Sequence, residues 1–234
     1  MKISILTKTD DFIAVNKPAG LLVHGTPGRE DEETLVSWLL EKYPEVKTVG
    51  DNPLKRPGVV HRLDKETSGV MLLARNQEFF NHFKDLLKNH KVKKTYLALV
   101  LGDVSRSLSI NAPIGLKSGT VKHTTITKNA KMVKPAETDI RPMEHFEKNG
   151  QKYTLLRVLP KTGRTHQIRV HLASIGKPIV GDKLYGGKKN ILPGLNRHFL
   201  HAESLEFSLL DGGRLHLEAD LPKDLQAVLD CFKS

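Results

Sequence analysis

The stretch Val59-Val60-His61-Arg62-Leu63-Asp64-Lys65-Glu66-Thr67-Ser68-Gly69-Val70-Met71-Leu72-Leu73-Ala74 sets the terms for both fold and chemistry. Val70 to Ala74 is a nearly all-apolar run, the pattern of a strand buried on both faces. Val59 and Val60 open a second extended run, and between the two lie His61, Arg62, Asp64, Lys65, Glu66, Thr67 and Ser68. Charged groups this close to core strands sit at a strand end facing a cleft, in ion pairs, or in a well-hydrated turn.

Upstream, Phe12 to Val15 is apolar and extended, and it runs into the turn signal Asn16-Lys17-Pro18-Ala19-Gly20 before Leu21 to His24 resumes an extended course. Glu32 to Tyr43 has helical periodicity through Leu35, Trp38, Leu39 and Val36, Leu40, Tyr43, with Pro44 at its end. Residues 46–57 are polar with two prolines and predict a surface loop. Downstream, Gln77 to His90 predicts a helix with Asn76 as N-cap and Phe79 and Phe83 inward. Tyr96 to Leu101 and Tyr153 to Leu159 are strands, with a basic hairpin between them. In Thr165 to Gly176, Ile168, Leu172 and Ile175 share one helix face, so a short helix is expected with Thr165 as N-cap and His166, Gln167 and Arg169 in its first turn. Leu205, Phe207 and Leu209 alternate, as do Leu215, Leu217 and Ala219, across Asp211-Gly212-Gly213, which is a hairpin. Strands and helices mix without βαβ alternation, so the class is α+β.

The chain has 234 residues, is 38% hydrophobic and 27% charged, and so has a globular composition. No internal repeat or linker-like tract marks a boundary, and a single domain over 1–234 is expected. No apolar run approaches the ~18 residues of a membrane span, so no membrane partner is expected. The first eight residues lack the apolar region of a signal peptide. Cys231 is the only cysteine, which excludes an intrachain disulfide framework and CxxC zinc sites and makes a reducing cytoplasm the default location.

Net charge is +11, and its distribution says more than its size. Lys117, Lys122, Lys128, Lys131 and Lys134 form a run without an acid, and Lys84, Lys88, Lys91, Lys93 and Lys94 a second cluster broken only by Asp85. A single such lysine is a solvated side chain; the aggregate suits a nucleic acid, whose phosphates release counterions on contact. The segment Gly163-Arg164-Thr165-His166-Gln167-Ile168-Arg169-Val170-His171 adds a helix start and two arginines, a setting for anions.

The stretch His61 to Gly69 closely resembles the signature of RluA-type RNA pseudouridine synthases. Asn16 to Gly20 with Val23-His24 resembles the opening motif of that family, and Lys94-Thr95-Tyr96-Leu97-Ala98-Leu99-Val100 its second motif. Lys134-Pro135-Ala136-Glu137-Thr138, Gly163 to His171, Gly176-Lys177-Pro178-Ile179-Val180-Gly181-Asp182, Tyr185-Gly186 and Leu200-His201-Ala202 continue the resemblance in the family's order. It implies a mostly antiparallel central sheet with flanking helices and a central cleft. It also implies cofactor-free, metal-free conversion of uridine to pseudouridine in structured ribosomal or transfer RNA, on a base flipped out of its stack.

By the same resemblance Asp64 stands at the essential aspartate, adding to sugar or base or taking a proton from C2′. An ionised carboxylate closed in by RNA needs a cation beside it. Arg169 matches the family's partner arginine and Arg164 is the other candidate, with a phosphate contact as the alternative role of Arg164. Tyr96 matches the active-site tyrosine. His61, Arg62, Thr67, Arg164, Thr165, His166, Gln167, Leu200 and His201 are the expected substrate-binding residues. The opening motif begins so near Met1 that no N-terminal S4 domain is expected, and the chain is taken as a monomer.

Two rivals stand beside this reading. A metal hydrolase would draw on His61, His166, His171 and His201, but no HExxH spacing occurs. The other is an RNA-binding module of the same fold without catalysis.

Overall fold

The computed structural model describes residues 3–25, 32–187 and 190–233. In chain order the elements are β1 (Ser4–Lys8), β2 (Phe12–Lys17), α1 (Leu35–Lys42), β3 (Ser68–Ala74), α2 (Gln77–Lys88), β4 (Lys93–Leu101), β5 (Leu108–Asn111) and β6 (Ile114–Lys117). They continue with β7 (His123–Thr124), β8 (Ala130–Lys134), β9 (Glu137–Lys148), β10 (Gln151–Pro160), α3 (Gln167–Ser174), β11 (Leu200–Ser208), β12 (Arg214–Glu218) and α4 (Lys223–Lys233). The sheets are mostly antiparallel and the class is α+β, as the sequence pattern indicates. No helix among the described residues is long and apolar enough to cross a membrane.

The chain divides into two compact units, one made of residues up to 93 with 202–220, the other of 94–201 with residues from 221 onward. In the first unit β1, β2 and β3 pair antiparallel in that order, β11 lies beside β3, and β12 closes the hairpin on β11. All seven residues of β3 are buried, which accounts for its unbroken apolar composition. Gly69 at its start has φ +118°, and a Cβ there would stand 2.1 Å from the carbonyl oxygen of Ala202, so only glycine permits this approach of two backbones. The sheet buries an aromatic cluster against α2. Phe12 stacks on Phe79 at 4.8 Å and Phe83 meets Phe207 edge-on at 4.9 Å.

Local chemistry sets the helix ends. Asn76 caps α2 by accepting the Phe79 amide at 2.8 Å, as expected, but α2 stops at Lys88, and His90 adopts φ +56°. Thr34 caps α1 and exchanges hydrogen bonds with Ser37, so that helix starts at Leu35 and not at Glu32. Of the surface loop expected at residues 46–57, the first three belong to a 3-10 turn (Pro44–Thr48) anchored by the fully buried Val46, and the rest runs in turns and bends, mostly exposed over 51–56. Val59 makes an isolated bridge to Leu73 in place of a strand.

In the second unit β4, β10, β9 and β5 pair antiparallel in that order, and the basic hairpin is a three-stranded sheet in the order β7-β6-β8. Ala98, Leu99, Leu156 and Val158 pack with Ile168 and Leu172 of α3 and with Leu225 and Leu229 of α4. Arg197 donates through Nε and Nη2 to Asp224 at 2.7 and 3.1 Å, tying the segment before β11 to the first turn of α4.

Candidate active site

Asp64 lies in the first unit, half-buried, where the chain turns toward β3; its carbonyl accepts the Thr67 amide at 3.1 Å. The turn is pinned from two sides. His61 Nε2 accepts the Leu72 amide at 3.0 Å, so that nitrogen is the unprotonated one, and the ring lies against Phe83. On the other side Lys17, wholly buried, donates from Nζ to the carbonyls of Pro18, Leu21 and Lys65 at 2.8 to 3.1 Å. This is the physical content of the Asn16-Lys17-Pro18 element: one ammonium gathers carbonyls from two loops that no strand joins. Thr67 is buried and Arg62 exposed.

The second unit carries Tyr96, Arg164, Thr165, His166, Gln167, Arg169, Leu200 and His201. The first helical residue of α3 is Gln167, and Thr165 is exposed and caps nothing, contrary to the expectation from sequence. No side chain caps this helix; the buried side chain of Gln167 instead pins the loop before it. Its Oε1 accepts the Arg164 amide at 2.9 Å and the Thr162 hydroxyl at 2.7 Å, while Nε2 donates to Glu137 O and Thr138 Oγ1 at 2.9 and 3.0 Å. His166 sits at the N-cap with φ +55° and ψ +20°, a left-handed conformation that costs a non-glycine residue about 1 kcal/mol or more.

Arg169 points from the first turn of α3 to a partner that the sequence reading did not single out. Its Nε and Nη2 donate to Oδ2 and Oδ1 of Asp182 at 2.7 and 3.0 Å, and Asp182 also accepts the Leu184 and Tyr185 amides. Burial pushes the Asp182 carboxyl up, but Arg169 and the two amides more than offset it, and the group is held below the usual carboxylate range. The Tyr185 ring lies 5.1 Å from the guanidinium carbon, and its hydroxyl bonds His166 Nδ1 and accepts the His123 amide, each at 2.9 Å. A guanidinium fixed this way loses little rotamer freedom when it meets an anion.

Tyr96 is on β4 opposite Val158 and packs, partly buried, on the core cluster that includes Ile168. Leu200 and His201 are buried at the start of β11. His171 is buried with Nδ1 on Thr138 Oγ1 and Nε2 on Ala112 O, and burial lowers its pKa. Among the described residues no group of three or more His, Cys, Asp or Glu side chains is placed to hold a metal ion. Asp182, Tyr185 and Lys17 all fall in quoted motifs, and that membership is the signal the sequence offers for them.

Two solved human structures share this architecture. RNA Pseudouridylate Synthase Domain Containing 1 aligns with a TM-score of 0.75 at 25% identity, covering 100% of this chain and 95% of its own. RNA Pseudouridylate Synthase Domain Containing 4 gives a TM-score of 0.73 at 23% identity, covering 98% and 93%. The sequence profile described as RNA pseudouridylate synthase matches residues 11–174, so the chain belongs to that family. A Chloroflexus aurantiacus protein named as an uncharacterized RNA pseudouridine synthase is 41% identical over 92% of the chain. Ribosomal large subunit pseudouridine synthase D of Yersinia pestis is 34% identical over 99% of it. The chain spans 64% of the length of the first relative and 71% of the second.

Proposed function

We propose that this chain is an RNA pseudouridine synthase acting on ribosomal RNA in the cytoplasm, with both units serving one catalytic domain. What carries the reading is that Asp64, Tyr96 and Arg169 all fall within the family-matched residues, with Arg169 held rigid by Asp182 and Tyr185. The reaction is redox-neutral: the C1′–N1 bond breaks, C1′ bonds to C5, a proton leaves C5 and N1 gains one. It needs a carboxylate, a counter-charge and a held base, and no cofactor.

In this proposal Asp64 is the catalytic carboxylate, adding to sugar or base or taking the C2′ proton, and Arg169 is the compensating cation. Tyr96 stacks on the displaced uracil. Arg62, exposed beside the Asp64 turn, contacts the neighbouring RNA backbone. His61, Thr67, Gln167, Leu200 and His201 act from behind the substrate-facing surface, as positioning residues. Flipping the uridine out of its stack costs a few kcal/mol, least in a loop, and the lysine clusters offset part of that.

The test is pseudouridine mapping by carbodiimide adduct sequencing of ribosomal RNA incubated with wild type and with Asp64→Asn. Asp64→Asn is expected to give no product while RNA affinity stays within about tenfold, ~1.4 kcal/mol. Turnover by that variant would remove Asp64 from the central role. RNA binding by the wild type with no pseudouridine formed would favour the non-catalytic binding module.

A further inference from the structure

With Arg169 assigned as the cation for Asp64, Arg164 is left with the phosphate contact that is its alternative role, and Lys94 has no part in the isomerisation. Lys94, the second residue of β4, is half-buried, and its Nζ donates to Thr162 O at 3.1 Å. The ammonium lies against Gly163, where a Cβ would come within 3.8 Å of Nζ. Arg164 donates from Nε to Pro135 O at 2.9 Å, and its amide is held by Gln167 Oε1. Main-chain carbonyls thus anchor Lys94 over the loop of residues 162–165 and hold the Arg164 side chain, which starts from that loop, at Pro135, and neither meets a carboxylate among the described residues. Burial first, and then the charge of Arg164, bring the pKa of Lys94 down to about 8.

Two half-buried cations anchored at and rooted in one loop, without a carboxylate on either, raise the free energy of the unliganded protein, and an anion bound there relieves it. Guanidinium offers a fork of donors and ammonium a compact point charge, a pair that fits the several oxygens of a phosphate. The geometry points to a phosphate subsite built from Lys94 and Arg164 over this loop, gripping one backbone phosphate of the bound RNA. The assignment rests on the reading of the chain as an RNA enzyme and extends it to a named contact.

The experiment measures the affinity of a uridine-containing RNA stem-loop against salt concentration for wild type, Lys94→Met, Arg164→Gln, the double variant and Lys94→Arg. Each single loss is expected to weaken binding several-fold and to reduce the slope of log K against log salt by about 0.7 to 0.9, one phosphate's share. The double variant should lose no more slope than either single, because both groups hold one phosphate, and Lys94→Arg should keep most of it. Free Lys94→Met should melt at or above the wild-type temperature, since an uncompensated charge has gone. An unchanged slope together with a lowered melting temperature would make Lys94 a structural strut and overturn the subsite. Additive slope losses in the double variant would overturn the shared phosphate, and saturable stabilisation by inorganic phosphate that RNA cannot displace would overturn the RNA assignment. Pseudouridine measured in the same samples separates the two ideas. Product with an unchanged slope sinks the subsite alone, whereas slope changes without product in any sample sink the enzyme reading alone.

Discussion

Arg169 and Asp182 stand thirteen residues apart and meet through two parallel hydrogen bonds in a buried setting. Breaking such a pair from one side leaves a buried charge without compensation, at a cost of about 3 to 5 kcal/mol. Asp182→Ala is therefore expected to lose stability of that order in urea denaturation and to lose turnover with it. The pH dependence follows from the depressed carboxyl. Its stabilisation is complete above the unfolded-state value of about 4 and fades as pH falls through the lower folded-state value. The urea midpoint of Asp182→Asn should thus vary less with pH below about 4 than that of wild type; an identical slope would mean that the pair does not govern acid stability. Asp224, held down in the same direction by Arg197 against the push of burial, is a second source of acid sensitivity. From sequence, Arg169 was legible through its motif, but no periodicity links it to an acid in the irregular segment after α3. Its partner became visible only when the chain was folded.

At the scale of elements, the strands and helices with long apolar patterns were readable: the two-sided burial of β3 and the Asn76 cap of α2 follow from composition alone. The start of α3 was not. A cap is ordinarily sought in the residue just before the helix, whereas no side chain caps α3, and its first helical side chain turns back to pin the preceding loop. Gln167 satisfies both acceptor and donor ends of its amide with four hydrogen bonds. Gln167→Leu keeps much of the bulk, strands those partners, and should cost about 2 to 4 kcal/mol. Thermal unfolding would register this, and a loss below about 1 kcal/mol would show that water replaces the amide. Val46 escaped for a different reason: one apolar anchor in a five-residue turn is too short to make a pattern.

Over the whole molecule, the excess of +11 is not spread evenly. Lys117, Lys122, Lys128, Lys131 and Lys134 are all exposed on or beside the small sheet of β6, β7 and β8, with Val121, Ile126 and Met132 exposed among them at 72% or more. Reversing Lys122, Lys128 and Lys131 to glutamate should weaken RNA binding and flatten its salt slope by about 2 to 3. A slope equal to that of wild type would leave this face merely hydrated. Charge and motif order were legible at this scale because both are properties of the linear chain. The closure of the first unit by residues 202–220 was not, because it depends on non-local strand pairing. That closure has a temporal side. A ribosome finishes Ala74 long before it reaches Ala202, and at ~5 to 20 residues per second the delay is on the order of ten seconds. Throughout it the newborn polypeptide displays an apolar, unpartnered edge at β3, so its greatest exposure to aggregation comes during translation.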